Sequence, residues 1–367
     1  MSTALYHTHP RFRNNFDFLR LFTAVYVVML HSYGLTGQLD NEPLRSWSST
    51  TFNFSFVRLS LFFCISGYLV MQSAMRSPTL GDFAWRRLLR IQPLLIVVTL
   101  VSIFIIGPLF SSLDIVTYFK QLQTWTYLRN IFPPTGIQYN LPGVFQANSV
   151  ETSVNGSLWT LVIEERLYIA CMIIFFAGFT GKRKAYIFLA IAYNLIYIIN
   201  TNLWHFSDSI IINGNAAFYS LMFVNAGLLF HLNIDFKSHK KIIWLPLLLL
   251  LTLTAAHFKT CFFLLIFIVP CFVMEIAFSR SFLNRTARFG DFSYGIFLFS
   301  FPVQQSVISL TNGNITPIPL FAITILITLP LAILSWHSLE KKMLSLKHRP
   351  WFKKTPAPSA SSEYLHE

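Results

Sequence analysis

Arg20 and His31 interrupt the apolar run NNFDFLRLFTAVYVVMLHSYGL at residues 14–35. The eleven residues from one to the other turn an α-helix through about 1100°, about 20° past three revolutions. Both side chains therefore leave one face of one helix about 16 Å apart along its axis. Ionisable groups at membrane depth are costly, and they commonly face a bundle interior or a water-filled cavity where they serve function. The structural alternative is an arginine that snorkels to the interface and a histidine hydrogen-bonded inside the bundle. A partner for the imidazole is offered by NGSLWTLVIEERLY, which holds Glu164, Glu165 and Arg166. If that segment enters from outside near Ser157, Glu164 lies about 10 Å below the surface at 1.5 Å per residue, the same depth as His31. A carboxylate and an imidazole so matched form a base and its orienter. Alternatively, Glu165 with Arg166, or Glu164 with Arg20, only neutralise each other.

FAWRRLLRIQP brings three more cations, Arg86, Arg87 and Arg90. Arg86 and Arg90 are i, i+4 neighbours on a helical face with Arg87 beside them, so their guanidinium forks can converge on a polyanion, phosphate above all. Positive-inside clusters and anionic lipid contacts give the same pattern. Asp17, three residues before Arg20, reads as its local structural partner. Glu275, Asn225, Gln304 and Gln305 read as interhelical hydrogen bonds.

These residues need membrane elements to position them. The chain is 54% hydrophobic and 12% charged, contains 38 Phe and has a mean hydropathy of +0.55. That excludes a soluble globule and predicts an all-α polytopic bundle of about ten spans: 16–35, 53–73, 88–110, 158–179, 185–203, 216–232, 241–256, 260–278, 292–310 and 317–338. The net charge of +13 lies in the connections and reads as topology, not as a nucleic-acid site. On one side fall Arg11, Arg13, Arg76, Arg86, Arg87, Arg90, Lys182, Arg183, Lys184, Lys237, Lys240, Lys241, Arg280, Arg285 and Arg288, with six more cations in the C-terminal tail. The other side has Arg45, Lys120, Arg129 and Lys259, so both termini are expected in the cytoplasm. The first span is expected to act as its own uncleaved insertion signal. Cys64, Cys171, Cys261 and Cys271 sit in apolar runs without metal spacing and read as small buried hydrophobes. The membrane domain is expected over residues 1–345, with an exterior loop at 111–157 that has a short helix around Asp114 to Arg129 and then FPPTGIQYNLPGVF. Such a loop is a lid or binding element, or a plain connection. The Pro/Ser-rich tail, 346–367, is expected to be disordered and cytoplasmic.

Five segments in order resemble the membrane-bound acyltransferase 3 family. NNFDFLRLFTAVYVVMLH resembles its D-x-L-R…H element, LSLFFCISGYLV its F-F-x-x-S-G-[YF]-L element and FAWRRLLRIQP its R-R-x-x-R-I-x-P element. LPGVFQANSVETSVNGSLWTLVIEERLY resembles the segment ending S-L-W-[ST]-L-x-x-E, and SYGIFLFSFPVQQ the SYG-I-Y-L…P-V element. The resemblance implies a multi-pass enzyme of the bacterial cytoplasmic (inner) membrane. Such an enzyme moves an acyl group, usually acetyl, from acetyl-CoA to a glycan hydroxyl, with acceptors such as O-antigen, exopolysaccharide or lipo-oligosaccharides including nodulation factors. Carried over by position, His31 and Glu164 are the catalytic residues and Arg20, Arg86, Arg87 and Arg90 bind the CoA. No metal is implied, and the partners are acyl-CoA, the glycan or glycolipid and membrane lipids, with no nucleic acid. Many members have His where this chain has Ser300, so no catalytic role is assigned there, and an appended soluble domain that would narrow the acceptor is not expected. A transporter or flippase is the alternative, which would work without an acyl donor. Against it stand the lack of paired Gly/Pro-interrupted spans and the confinement of the basic cluster to one side.

Overall fold

The computed structural model of the chain describes residues 14–47, 54–179, 182–201, 214–234, 236, 241–257, 263–279 and 290–348. Among them there is no strand, only an isolated bridge between Ser111 and Val144. Runs of Leu, Ile and Phe without polar alternation must satisfy their backbone groups within the segment when lipid surrounds them, and the helix does this. A helix stands at each expected position: α1 Phe16–Leu35, α2 Phe54–Arg76, α3 Leu80–Phe110, α4 Trp159–Phe176, α5 Arg183–Ile199, α6 Gly214–Leu232, α7 Lys241–His257, α8 Leu265–Ala277, α9 Ser293–Leu310 and α10 Pro317–Ser335. Four stretches, Phe16–Leu35, Phe56–Arg76, Leu80–Phe110 and Pro317–Ser345, are long and apolar enough to cross a membrane.

Helix α3 begins at Leu80, not at residue 88, because Thr79 caps it. The Thr79 hydroxyl accepts the Asp82 N–H at 3.1 Å and donates to the Asp82 carboxylate at 2.9 Å, a reciprocal cap. Arg86, Arg87 and Arg90 are thereby held on a helix.

Helix α2 is the hub, packing on α1, α4, α6 and α8, while α9 and α10 close over the other side of α1. Gly67 permits the tightest of these contacts, since a Cβ there would lie 2.8 Å from Phe223 Cα in α6. Polar side chains tie helices together as expected. Asn194 and Asn225 exchange hydrogen bonds at 2.8 and 3.0 Å, and Gln304 of α9 donates to Val28 O and Ser32 Oγ of α1 at 2.9 and 2.8 Å.

The 111–157 connection is well folded. Its expected helix is two short ones, Ile115–Lys120 and Leu122–Thr126, and Asp114 caps the first by accepting the N–H groups of Val116 and Thr117. Buried Tyr118 donates its hydroxyl to Ile103 O at 3.0 Å, inside a π-helical stretch of α3, Ser102–Ile106. The end of the loop does not stay outside the bundle. Asn155 donates to Leu298 O, in the first third of α9, at 3.0 Å, and both residues are fully buried. Helix α4 therefore starts inside the bundle.

Leu346–His348 forms a 3-10 turn, and the rest of the expected disordered tail lies outside the described residues. So do Cys261, Lys259, Arg11, Arg13, Lys237, Lys240, Arg280, Arg285 and Arg288.

Candidate functional site

At the end of the bundle where α2 meets α3, Arg20 comes beside the arginines of α3 through one acidic residue, Asp291, just before α9. Arg90 donates to its Oδ2 at 2.6 Å and Arg20 to the same oxygen at 3.2 Å. Burial alone would raise the Asp291 pKa. The charges of Arg90 and Arg20 and the Ser293 hydrogen bonds outweigh it and hold the carboxyl well below the usual carboxylate range. Asp17 also lies 3.6 Å from Arg20, as its spacing suggests. Arg86 and Arg87 have no carboxylate within ion-pair distance among the described residues. The Nε of each is buried without a hydrogen-bond partner, and Arg87 donates to the Ser73 hydroxyl at 3.2 Å and lies over the faces of Phe83 and Tyr168.

Glu164 is buried on α4, but not against His31. It accepts hydrogen bonds from Ser66 at 3.3 Å and Tyr168 at 2.5 Å, and its charge faces Arg90 and Arg87. Glu165 accepts from Gln92 at 3.0 Å. Arg166 reaches out to Pro134 O at 3.1 Å and anchors the loop, so neither glutamate pairs with Arg166 or Arg20. Glu164 does not share the depth of His31, because α4 does not start at the surface: the inward turn at Asn155, bonded to Leu298 O, sets the helix deeper.

His31 stands near the opposite end of α1. Its Nδ1 is buried with no hydrogen-bond partner, and its ring meets Phe301 of α9 edge-on at 5.0 Å. No carboxylate among the described residues orients it. Its charged neighbour is Arg58 of α2, a residue the sequence reading passed over.

One cavity of ≈ 500 Å³ connects the arginines, Asp291 and Glu164 with Arg58. Its wall includes Arg20, Arg86, Arg87, Arg90 and Glu164, and it runs between α1, α2, α3, α4 and α9 as far as Val27, Arg58, Thr160 and Leu161. His31 lies one helical turn beyond Val27, on the same face of α1. From Arg76 at one end to Arg58 at the other, the α2 wall spans about 27 Å at 1.5 Å per residue. The sequence pointed to the arginines and His31, because ionisable residues in apolar runs stand out. Arg58 carried the same signal. Asp291 and Ser66 join the site through contacts that no local spacing reveals, whereas Tyr168 lies one turn after Glu164 on the same helix.

Residues 13–337 match the model of a family described as an acyltransferase domain, the acyltransferase 3 family. The chain is 28% identical over 349 residues to the O-acetyl transferase of Shigella phage Sf6, covering 90% of this chain and 96% of that protein. It is 26% identical over 359 residues to Nodulation protein 10 of Rhizobium leguminosarum bv. viciae, covering 91% and 94%. No solved structure matches it.

Proposed function

The chain belongs to the acyltransferase 3 family and is a membrane O-acetyltransferase, and from that premise we propose that it moves an acetyl group from cytoplasmic acetyl-CoA to a hydroxyl of a surface or secreted glycan. The acceptor class we favour is O-antigen, exopolysaccharide or a lipo-oligosaccharide such as a nodulation factor, the last in keeping with the name of Nodulation protein 10. The enzyme crosses the bacterial inner membrane about ten times, with both termini and the arginine-rich end in the cytoplasm.

The observation that carries this reading is the cavity that begins among the arginines and reaches Val27 and Arg58, one helical turn short of His31. The CoA phosphates dock on Arg86 and Arg87, where charge-assisted forks replace lost hydration. Arg20 and Arg90, tied through Asp291, complete the positive mouth. The flexible arm of the donor extends along the cavity and brings the thioester to His31. There the imidazole takes the proton of the acceptor hydroxyl as general base, or accepts the acyl group first. Glu164 works through Tyr168, which it holds beneath the Arg87 guanidinium, and so acts as a positioning residue for the donor.

The test is acetyl transfer by the purified protein, paired with mass spectrometry of glycans from cells with and without the gene. One added acetyl group on one glycan is expected. His31→Gln should lower turnover at least about 10²-fold, the lower range for general acid–base catalysis, while acetyl-CoA binding persists. Near-normal transfer by a folded His31→Gln protein would remove His31 from the mechanism.

A further inference from the structure

Arg58 is a buried cation with no role in donor docking. It is 3% exposed, its Nε is buried without a partner, and no carboxylate among the described residues pairs with it. A guanidinium keeps its charge in a protein, and an unpaired buried charge is strongly destabilising. The other arginines of the cavity either share Asp291 or line the mouth that awaits phosphate. Arg58 does neither. It stands about one turn from the Phe54 end of α2, as His31 stands about one turn from the Leu35 end of α1, and the two helices pack together. The two groups interact electrostatically, and Arg58 belongs to the cavity wall with Val27, Thr160 and Leu161.

We infer that Arg58 is the oxyanion donor of acetyl transfer: its guanidinium holds the carbonyl oxygen of the donor thioester at the end of the cavity nearest His31. The inference rests on the transfer reaction proposed above. In that reaction the acceptor hydroxyl oxygen bonds to the thioester carbonyl carbon while its proton passes to His31, and the carbonyl π pair moves onto oxygen. The tetrahedral intermediate then re-forms the carbonyl and expels the CoA sulfur, which takes the proton back from His31. The products are the acetyl ester and free CoA thiol. Negative charge on the carbonyl oxygen exists only between these steps, and a preorganised donor in a site with little water stabilises it most. The charge count agrees. A protonated His31 and Arg58 would repel each other, and an oxyanion between them is the charge that reconciles the two cations. The same oxyanion arises if the imidazole itself attacks first, so the assignment holds on either route.

The test compares wild-type, Arg58→Gln and Arg58→Lys proteins in detergent, with folding checked by gel filtration and thermal melting. Arg58→Gln should lose about 10² to 10³ in kcat, while the Kd for CoA stays within about threefold, because the phosphate-binding arginines are at the other end of the cavity. A direct readout uses acetyl-CoA labelled with ¹³C at the carbonyl, bound to a His31→Gln background that does not turn over. The carbonyl stretch should move to lower frequency on binding, and adding Arg58→Gln should return it to its value in water. If Arg58→Gln does not fold, Arg58→Lys carries the test, with an expected loss of about tenfold in kcat and a smaller carbonyl shift. Unchanged kcat, or a carbonyl band indifferent to Arg58, overturns the inference. A higher KM for the glycan with unchanged kcat also overturns it and assigns Arg58 to an anionic group of the acceptor. If the wild-type protein transfers no acetyl at all, the proposed reaction fails instead, which is a separate result.

Discussion

Asp291 joins two arginines that come from distant parts of the chain, and its loss should affect more than one of them. Replacing it with Asn leaves Arg20 and Arg90 partly buried, at 30% and 20% side-chain exposure, without their shared carboxylate. Stability should fall by about 1 to 3 kcal/mol, the range for a buried polar group that loses its partner, with the lower end favoured because Arg20 is still wetted. The pH dependence has a fixed sign. The folded pKa of Asp291 lies below its unfolded value of about 3.9. Its stabilisation is therefore complete above that value and is lost only as the pH falls through the folded pKa. Detergent melting of Asp291→Asn should thus show a deficit that is constant from pH 7 down to about pH 5 and narrows at more acidic values. Arg86→Ala combined with Arg87→Ala should behave oppositely, with near wild-type melting and weakened CoA binding, since neither guanidinium has a carboxylate to abandon. A double variant that kept its CoA affinity would show these cations to be topology signals. The contrast also marks what a linear reading can see. Arg20 and Arg90 announce themselves in apolar sequence, but the carboxylate that joins them is 271 and 201 residues away and has no spacing to betray it.

At the scale of elements, the apolar runs were legible and the inward loop was not. Composition and run length locate a helix at every expected position, because in lipid only the helix satisfies the backbone within a single segment. The descent of Asn155 to Leu298, in the first third of α9, depends on a buried side-chain hydrogen bond between distant segments, so run length alone sets helix α4 too shallow and pairs Glu164 with His31. Close helix approach was equally hidden, although its agent is a single glycine. Gly67→Ala should drive a methyl into the Phe223 backbone and force α2 from α6, costing about 1 to 3 kcal/mol as overpacking does. Gly34→Ala in α1 is the control. Nothing lies within 4 Å of its added Cβ, so helix propensity alone acts and should stabilise by about 0.5 to 1 kcal/mol. Melting temperatures moving in opposite directions would confirm that approach, not glycine flexibility, is what Gly67 provides. Equal shifts would refute it.

Charge gives the whole molecule its orientation. The α2–α3 connection carries Arg76 to the same end as Arg86 and Arg90, and Lys347, beyond α10, reaches the wall of the same cavity. Arg183, at the start of α5, donates to Leu232 O at the end of α6 at 3.4 Å, so the α4–α5 and α6–α7 connections also share an end. Arg45, Lys120 and Arg129 belong to connections at the opposite end, where the 111–157 loop folds. Basic connections are retained in the cytoplasm, so the arginine mouth should face the compartment that contains acetyl-CoA, and the loop should face the glycan. Single cysteines in a background lacking Cys64, Cys171, Cys261 and Cys271 decide the matter. Asn140→Cys, in the loop, should react with an impermeant maleimide in intact cells, whereas Arg183→Cys should react only after permeabilisation. If Asn140→Cys were labelled only in opened cells, the mouth would face outward and no cytoplasmic thioester could enter it, and the transfer reaction would lose its donor route.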